Sequence, residues 1–208
     1  MREDREMPQK IIVWDFDGVL NANIVDGRFV WADRLQADWG IDVAALAGHL
    51  FHPDRIGHIM RGRVDLRDAL AEWLDMAGHD VDADAFLAYW FARDALPDAA
   101  VIQQLSRPGA RHVIGTNNER RRARYIEDQM GFGTRVEHIF ASGRMGHAKP
   151  DAAYFAHIED WSGAPACDHI LIDDTRANVD AAAARGWQVF HFTDRTRDDL
   201  VAFLDVMV

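Results

Sequence analysis

Five short apolar runs punctuate this chain, and each is followed by a break and then an amphipathic stretch. That alternation limits the possible folds more than any other feature. The runs are Ile11–Asp15, His112–Gly115, His138–Ala141, His169–Ile172 and Gln188–Phe192. Rich in β-branched and aromatic residues, they read as buried strands. The stretches with helical patterning are Asp98–Ser106, Glu119–Met130, Ala152–Ser162, Arg176–Arg185 and Arg197–Val206. Strand–helix alternation implies an α/β chain with a doubly wound, Rossmann-like parallel sheet, and right-handed crossovers place helices on both faces.

The pattern breaks once. Between about 21 and 96 there is no strong strand, only helical segments: Ala32–Trp39, Val43–Leu50, Leu66–Met76 and Ala83–Arg93. Trp31, Trp39, Phe51, Trp73, Phe86, Trp90 and Phe91 supply large apolar bodies, and aromatics at helical spacing read as core. The expected organisation is therefore a sheet core from 1–20 and 97–208, with an all-helical insertion over 21–96. Its two connections, near Asn21 and Leu96-Pro97, form a natural hinge pair.

Ligands in open α/β sheets bind beyond the carboxyl ends of strands. Four segments of interest fall there. Asp15-Phe16-Asp17-Gly18 places two carboxylates at the exit of the first strand, although Asp-x-Asp-Gly also suits a solvated turn. In Gly115-Thr116-Asn117-Asn118, a hydroxyl and amides precede a helix, which fits an anion site or a plain N-cap. In Lys149-Pro150-Asp151, proline keeps Lys149 out of a helix, leaving its ammonium free to reach inward or into solvent. Asp173-Asp174-Thr175 again puts adjacent acids at a strand end, where either Asp174 or Thr175 could cap the next helix.

If these tips converge, Asp15, Asp17, Asp173 and Asp174 crowd together. The chain holds only two lysines, Lys10 and Lys149, and one lysine does not neutralise four carboxylates. A divalent cation would. Hard oxygen ligands favour Mg²⁺, which keeps waters and takes phosphate as a further ligand. The cluster thus predicts a metal and a phosphate-bearing substrate.

Other classes recede. The formal net charge is −11, which is unsuited to nucleic acid. Cys167 is the single cysteine, so neither an internal disulfide nor a cysteine metal site can form. His49 and His52 could share a helix face, but no carboxylate joins them in a ligand pattern, and they read as surface or packing residues. The charged start, Met1 to Lys10, lacks the apolar region of a signal peptide, and no run is long enough to span a membrane. A soluble cytoplasmic protein, monomer or homodimer, is expected.

The ordered set Asp15-x-Asp17-Gly18, Thr116, Lys149-Pro150 and Asp173-Asp174 with Asn178 resembles the four motifs of the haloacid dehalogenase superfamily. The resemblance covers nearly the whole chain, and the helical insertion matches that family's C1-type cap. It implies an Mg²⁺-dependent phosphomonoester hydrolase acting on a small phosphorylated metabolite, with sugar phosphates favoured. Asp15 would be the nucleophile that forms an aspartyl-phosphate. Asp17 would be the general acid–base and would offer its main-chain carbonyl to the metal. Thr116 and Lys149 would hold phosphoryl oxygens, and Asp174 would bind Mg²⁺ directly, with Asp173 binding it directly or through water. Phe16, Gly18 and Asn117 would contact the phosphate, while Arg61 and Arg63 of the cap would contact substrate. Asn21 stands where relatives often carry Asp, Ser or Thr. Asp17 speaks against dehalogenation, since halide needs no proton on leaving. The absence of lysine between Lys10 and Lys149 speaks against Schiff-base phosphonate hydrolysis. The alternative is a sugar phosphomutase of the β-phosphoglucomutase type, with a non-catalytic binding domain further behind.

Overall fold

The computed structural model describes residues 9–25 and 27–208. The charged stretch 1–8, read above as carrying no leader, lies outside the described residues. The chain opens with β1 (Lys10–Trp14), then a short antiparallel pair, β2 (Ile24–Val25) and β3 (Arg28–Phe29). Five helices follow: α1 (Leu35–Trp39), α2 (Val43–Leu50), α3 (Pro53–Met60), α4 (Leu66–Met76) and α5 (Ala83–Arg93). After α6 (Ala99–Ile102) come β4 (Ala110–Thr116), α7 (Arg120–Arg124), β5 (His138–Ala141), α8 (Ser142–Met145) and α9 (Ala152–Ser162). The chain ends with β6 (His169–Asp173), α10 (Arg176–Ala184), β7 (Gln188–His191) and α11 (Leu200–Met207).

The five long-range strands form one parallel sheet in the order β5-β4-β1-β6-β7. Strand period two divides β1 between the faces. Ile12 and Trp14 join Ile114, Ile172, Phe132 and Leu204 on one side. Ile11 and Val13 join Val113, Leu171, Phe155 and Trp187 on the other. Both faces are covered, which is why these strands read as unbroken apolar runs. In register, Trp14 lies beside both Ile114 and Ile172. The carboxyl ends of β1, β4 and β6 therefore finish close together, and Asp15 N–H donates to Ile172 O at 2.8 Å.

The inserted helices bury their own apolar cluster, which includes Trp31, Leu35, Leu70, Phe86 and Trp90. Trp31 and Trp90 stack with ring centroids 4.1 Å apart. Aspartates define the helix starts: Asp42, Asp65 and Asp82 accept N–H bonds in the first turns of α2, α4 and α5, each contributing about 1 kcal/mol. Part of the chain's negative charge is thus capping charge.

Three local expectations change. The insertion is not purely helical, because β2 and β3 pair beside Gly27, whose φ is 72°. Helix α3, not foreseen, starts at Pro53 behind His52, with Ile56, Ile59 and Met60 at helical spacing. The stretch Glu119–Met130 is not one continuous α-helix: α7 gives way to a wider π-turn over Tyr125–Gln129. The two connections to the insertion are zipped to each other. Ala22 N–H donates to Leu96 O at 2.8 Å, and Asn21 bonds both Asp94 O and Leu96 N–H at 2.7 Å.

Candidate active site

The end of β1 delivers Asp15, the loop before α9 delivers Lys149, and the end of β6 delivers Asp173. Lys149 Nζ lies 2.9 Å from Asp15 Oδ1 and 2.6 Å from Asp173 Oδ2, and its side chain is fully buried. The loop position is fixed by Asn117, whose amide both donates to Lys149 O and accepts from Lys149 N–H, each at 2.8 Å. Asp173 Oδ1 accepts from Thr175 N–H and Asn178 Nδ2, each at 2.9 Å. Phe16 N–H donates to Asp15 Oδ1 at 2.7 Å, while the Phe16 ring packs edge-on against Phe132. Phe16 thus contributes its backbone to the site and its side chain to the core.

Asp174 completes the cluster. Carboxylate oxygens of Asp15, Asp173 and Asp174 come within 4.8 Å of one another. Gly18, at φ 79°, passes so close to the Asp174 carboxylate that a Cβ would collide with it. Burial, then the neighbouring Asp173 charge, push Asp15 well above the ordinary carboxylate range, against the pull of Lys149. Burial and Asp173 likewise raise Asp174. Burial alone would lower Lys149, but Asp15 and Asp173 outweigh it and hold the ammonium protonated. Three carboxylates facing one ammonium leave negative charge uncompensated. This oxygen-only donor set fits a hard divalent cation.

The Asp17 carboxylate is not part of that group, unlike the four-carboxylate cluster expected from the sequence. The reason is its partners. Asn23 and Asn118 donate to it at 2.8 Å and Asn21 at 3.2 Å. They hold it at the cavity that the inserted helices border. Thr116 stands beside it, its hydroxyl accepting from the same Asn118 amide at 2.7 Å. Behind lies a buried pair, Asp94 and Arg122, 3.0 Å apart, with Asn23 bonded to Asp94 at 2.8 Å. Burial lifts Asp94 to about 6, against the pull of Arg122.

The expected N-caps also differ. Glu119, not Thr116 or Asn118, caps α7 by accepting from Arg121 and Arg122 N–H. That leaves Thr116 and Asn118 free for the site. Thr175 precedes α10 without a side-chain cap bond.

Arg61 and Arg63 do not line the cavity between the insertion and the sheet. Arg61 donates to Asp151 at 2.7 Å, and Arg63 is exposed. Arg61 belongs to a clasp holding the insertion against the core, together with Ser142, whose hydroxyl donates to Met60 O at 2.6 Å, and Arg121, 3.0 Å from Asp65. Asn23, Asp94 and Arg122 were not singled out from the sequence. The Asn-x-Asn spacing after Gly18 was a legible signal for the first of these. Nothing local marks the other two.

A family model described as haloacid dehalogenase-like hydrolase matches residues 9–186. The chain belongs to that family. Among curated relatives, phosphoglycolate phosphatase from Pseudomonas syringae pv. syringae (strain B728a) is 27% identical over 188 residues, covering 85% of this chain. The chain spans 66% of that relative's length. The fold is shared with a protein predicted to be a HAD-like family hydrolase, from Porphyromonas gingivalis (TM-score 0.75, 18% identity, 97% of this chain and 98% of that one). It is shared too with a HAD family enzyme from Bacteroides thetaiotaomicron solved with magnesium and inorganic phosphate (TM-score 0.73, 17% identity, 89% and 94% coverage). Among the described residues, no helix is long and apolar enough to cross a membrane.

Proposed function

We propose that this chain is an Mg²⁺-dependent phosphomonoester hydrolase working through an aspartyl-phosphate. One observation carries the reading: a buried Asp15–Lys149–Asp173 triple joined by Asp174, with Asp17, two residues beyond Asp15, held by three asparagine amides. The phosphatase relatives and the magnesium- and phosphate-bound neighbour support it.

Asp15 and Asp174 would hold the metal through their carboxylates, and the family resemblance adds the main-chain carbonyl of Asp17. Both Asp173 oxygens are already engaged by Lys149, Thr175 and Asn178, which favours contact through water. When bound, Mg²⁺ supplies the positive charge that lets an anionic carboxylate approach an anionic phosphate.

A free Asp15 oxygen attacks phosphorus, and the bond from phosphorus to the substrate's ester oxygen breaks. Asp17 gives its proton to that oxygen, and the alcohol leaves. Asp17 then takes a proton from water, whose oxygen attacks phosphorus. The bond to Asp15 breaks, and inorganic phosphate is released. Lys149 and Thr116 stabilise the transferring phosphoryl oxygens throughout, since phosphoryl transfer needs positioning and neutralisation above all. The mutase alternative needs cations for a second phosphate. Arg122 is paired with Asp94 and Arg61 with Asp151, so the hydrolase is favoured.

The test is phosphate release from p-nitrophenyl phosphate. Activity is expected with Mg²⁺, loss with chelator, and loss in Asp15→Asn. Wild-type turnover in Asp15→Asn rules out Asp15 as nucleophile.

A further inference from the structure

Beyond the catalytic groups, a cavity of about 410 Å³ lies between the inserted helices and the sheet, with Asp17 among its lining residues. Its walls are Trp31, Phe51, Ile59, Leu66, Trp90 and Phe91. Nearly every polar group that borders it is already engaged. Arg122 pairs with Asp94 at 3.0 Å and donates to Phe91 O at 3.0 Å. The Glu119 carboxylate caps α7, at 2.7 and 2.5 Å from two N–H groups. Asn118 serves Asp17 and Thr116, and Asn117 serves Lys149. Arg122 Nε is the exception, without a partner but itself buried.

A polyhydroxylated sugar entering this space would lose water from several hydroxyls and find few partners. A small carboxylate would meet no unpaired cation in the wall. Both losses are costly. An aromatic ring would displace water from apolar surface and meet aromatic faces. Because Asp17 borders the cavity, whatever fills it sits beside the ester oxygen that Asp17 protonates. We infer that this site selects phosphomonoesters whose alcohol carries an aromatic or similarly bulky apolar group. The inference rests on the phosphatase reading, and departs from the sugar phosphate favoured by family resemblance.

The experiment compares kcat/KM with Mg²⁺ for three alkyl phosphates of similar leaving-group type: 2-phenylethyl phosphate, glucose 6-phosphate and 2-phosphoglycolate. Burying one phenyl group predicts a preference for the first of about 10- to 100-fold. Phe51→Gln, at a half-buried wall position, should shrink that ratio about tenfold. A ratio between substrates is insensitive to lost folded protein. Calorimetric binding of 2-phenylethylphosphonate against methylphosphonate should show the same preference without turnover. Equal or weaker handling of the phenyl compounds in both assays overturns the inference, and glucose 6-phosphate or phosphoglycolate turnover would then leave the phosphatase reading standing. Selective phosphonate binding with no hydrolysis of any ester would uphold the apolar pocket and sink the phosphatase reading instead.

Discussion

Replacing Lys149 with methionine tests the electrostatic centre of the molecule. The ammonium is fully buried, 2.9 Å from Asp15 and 2.6 Å from Asp173, and the Asp173 side chain is fully buried with it. Methionine keeps the length and apolar stem but removes the charge. Asp173 retains its bonds from Thr175 and Asn178, and Asp15 retains one from Phe16. Those dipoles do not replace a full charge. Breaking a buried pair by removing one partner costs about 3–5 kcal/mol. For a domain of this size, 1 kcal/mol corresponds to about 2–4 °C in Tm. The expected drop is therefore about 6–20 °C, read by circular dichroism melts in chelator. Neutralising the stranded acid in Lys149→Met/Asp173→Asn should recover part of the loss. Added Mg²⁺ should recover part as well, since a cation can take over the ammonium's compensating role. A Tm within about 2 °C of wild type in chelator refutes the claim that this ammonium balances the buried acids.

Asp17→Asn should slow alkyl phosphates far more than p-nitrophenyl phosphate, because only poor leaving groups need the proton; equal losses in steady-state assays argue against the acid role. Gly18→Ala forces an L-residue to φ 79° and a methyl group onto Asp174, so a loss above about 1 kcal/mol is expected with weaker Mg²⁺ binding by calorimetry, and an unchanged metal affinity counts against the cradle. Asp94 binds its proton more tightly folded than unfolded, 3.8 rising to about 6, so its stabilising contribution is full at low pH and is lost as pH rises through that range. Asp94→Asn should therefore gain on wild type by about 3 kcal/mol at most between pH 4 and 6.5 in urea titrations, and a difference independent of pH would contradict the buried carboxyl.

The parallel sheet and its acidic tips were legible because their determinants are local. A buried strand declares itself in four or five consecutive apolar residues, and an acid at its end is placed by the strand itself. Ile11–Trp14 leading to Asp15, and His169–Ile172 leading to Asp173, follow that rule. Helix α3 was readable in principle from Pro53 and the spacing of Ile56, Ile59 and Met60, but its charged first turn obscured it. Two-residue strands such as β2 and β3 are too short to show alternation.

The amino-acid order alone settled which residues end the strands, and with them the α/β architecture and the acids of the candidate site. Where each side chain points was settled only by folding. Asn23 meets Asp94 across 71 residues, and Asn118 meets Asp17 across 101. Such partners set the aim of Asp17, draw Arg61 into a clasp and leave an apolar hollow above the site. Strand formation depends on neighbours in sequence, whereas hydrogen-bond satisfaction in a buried cleft depends on whichever groups the packed chain brings within reach.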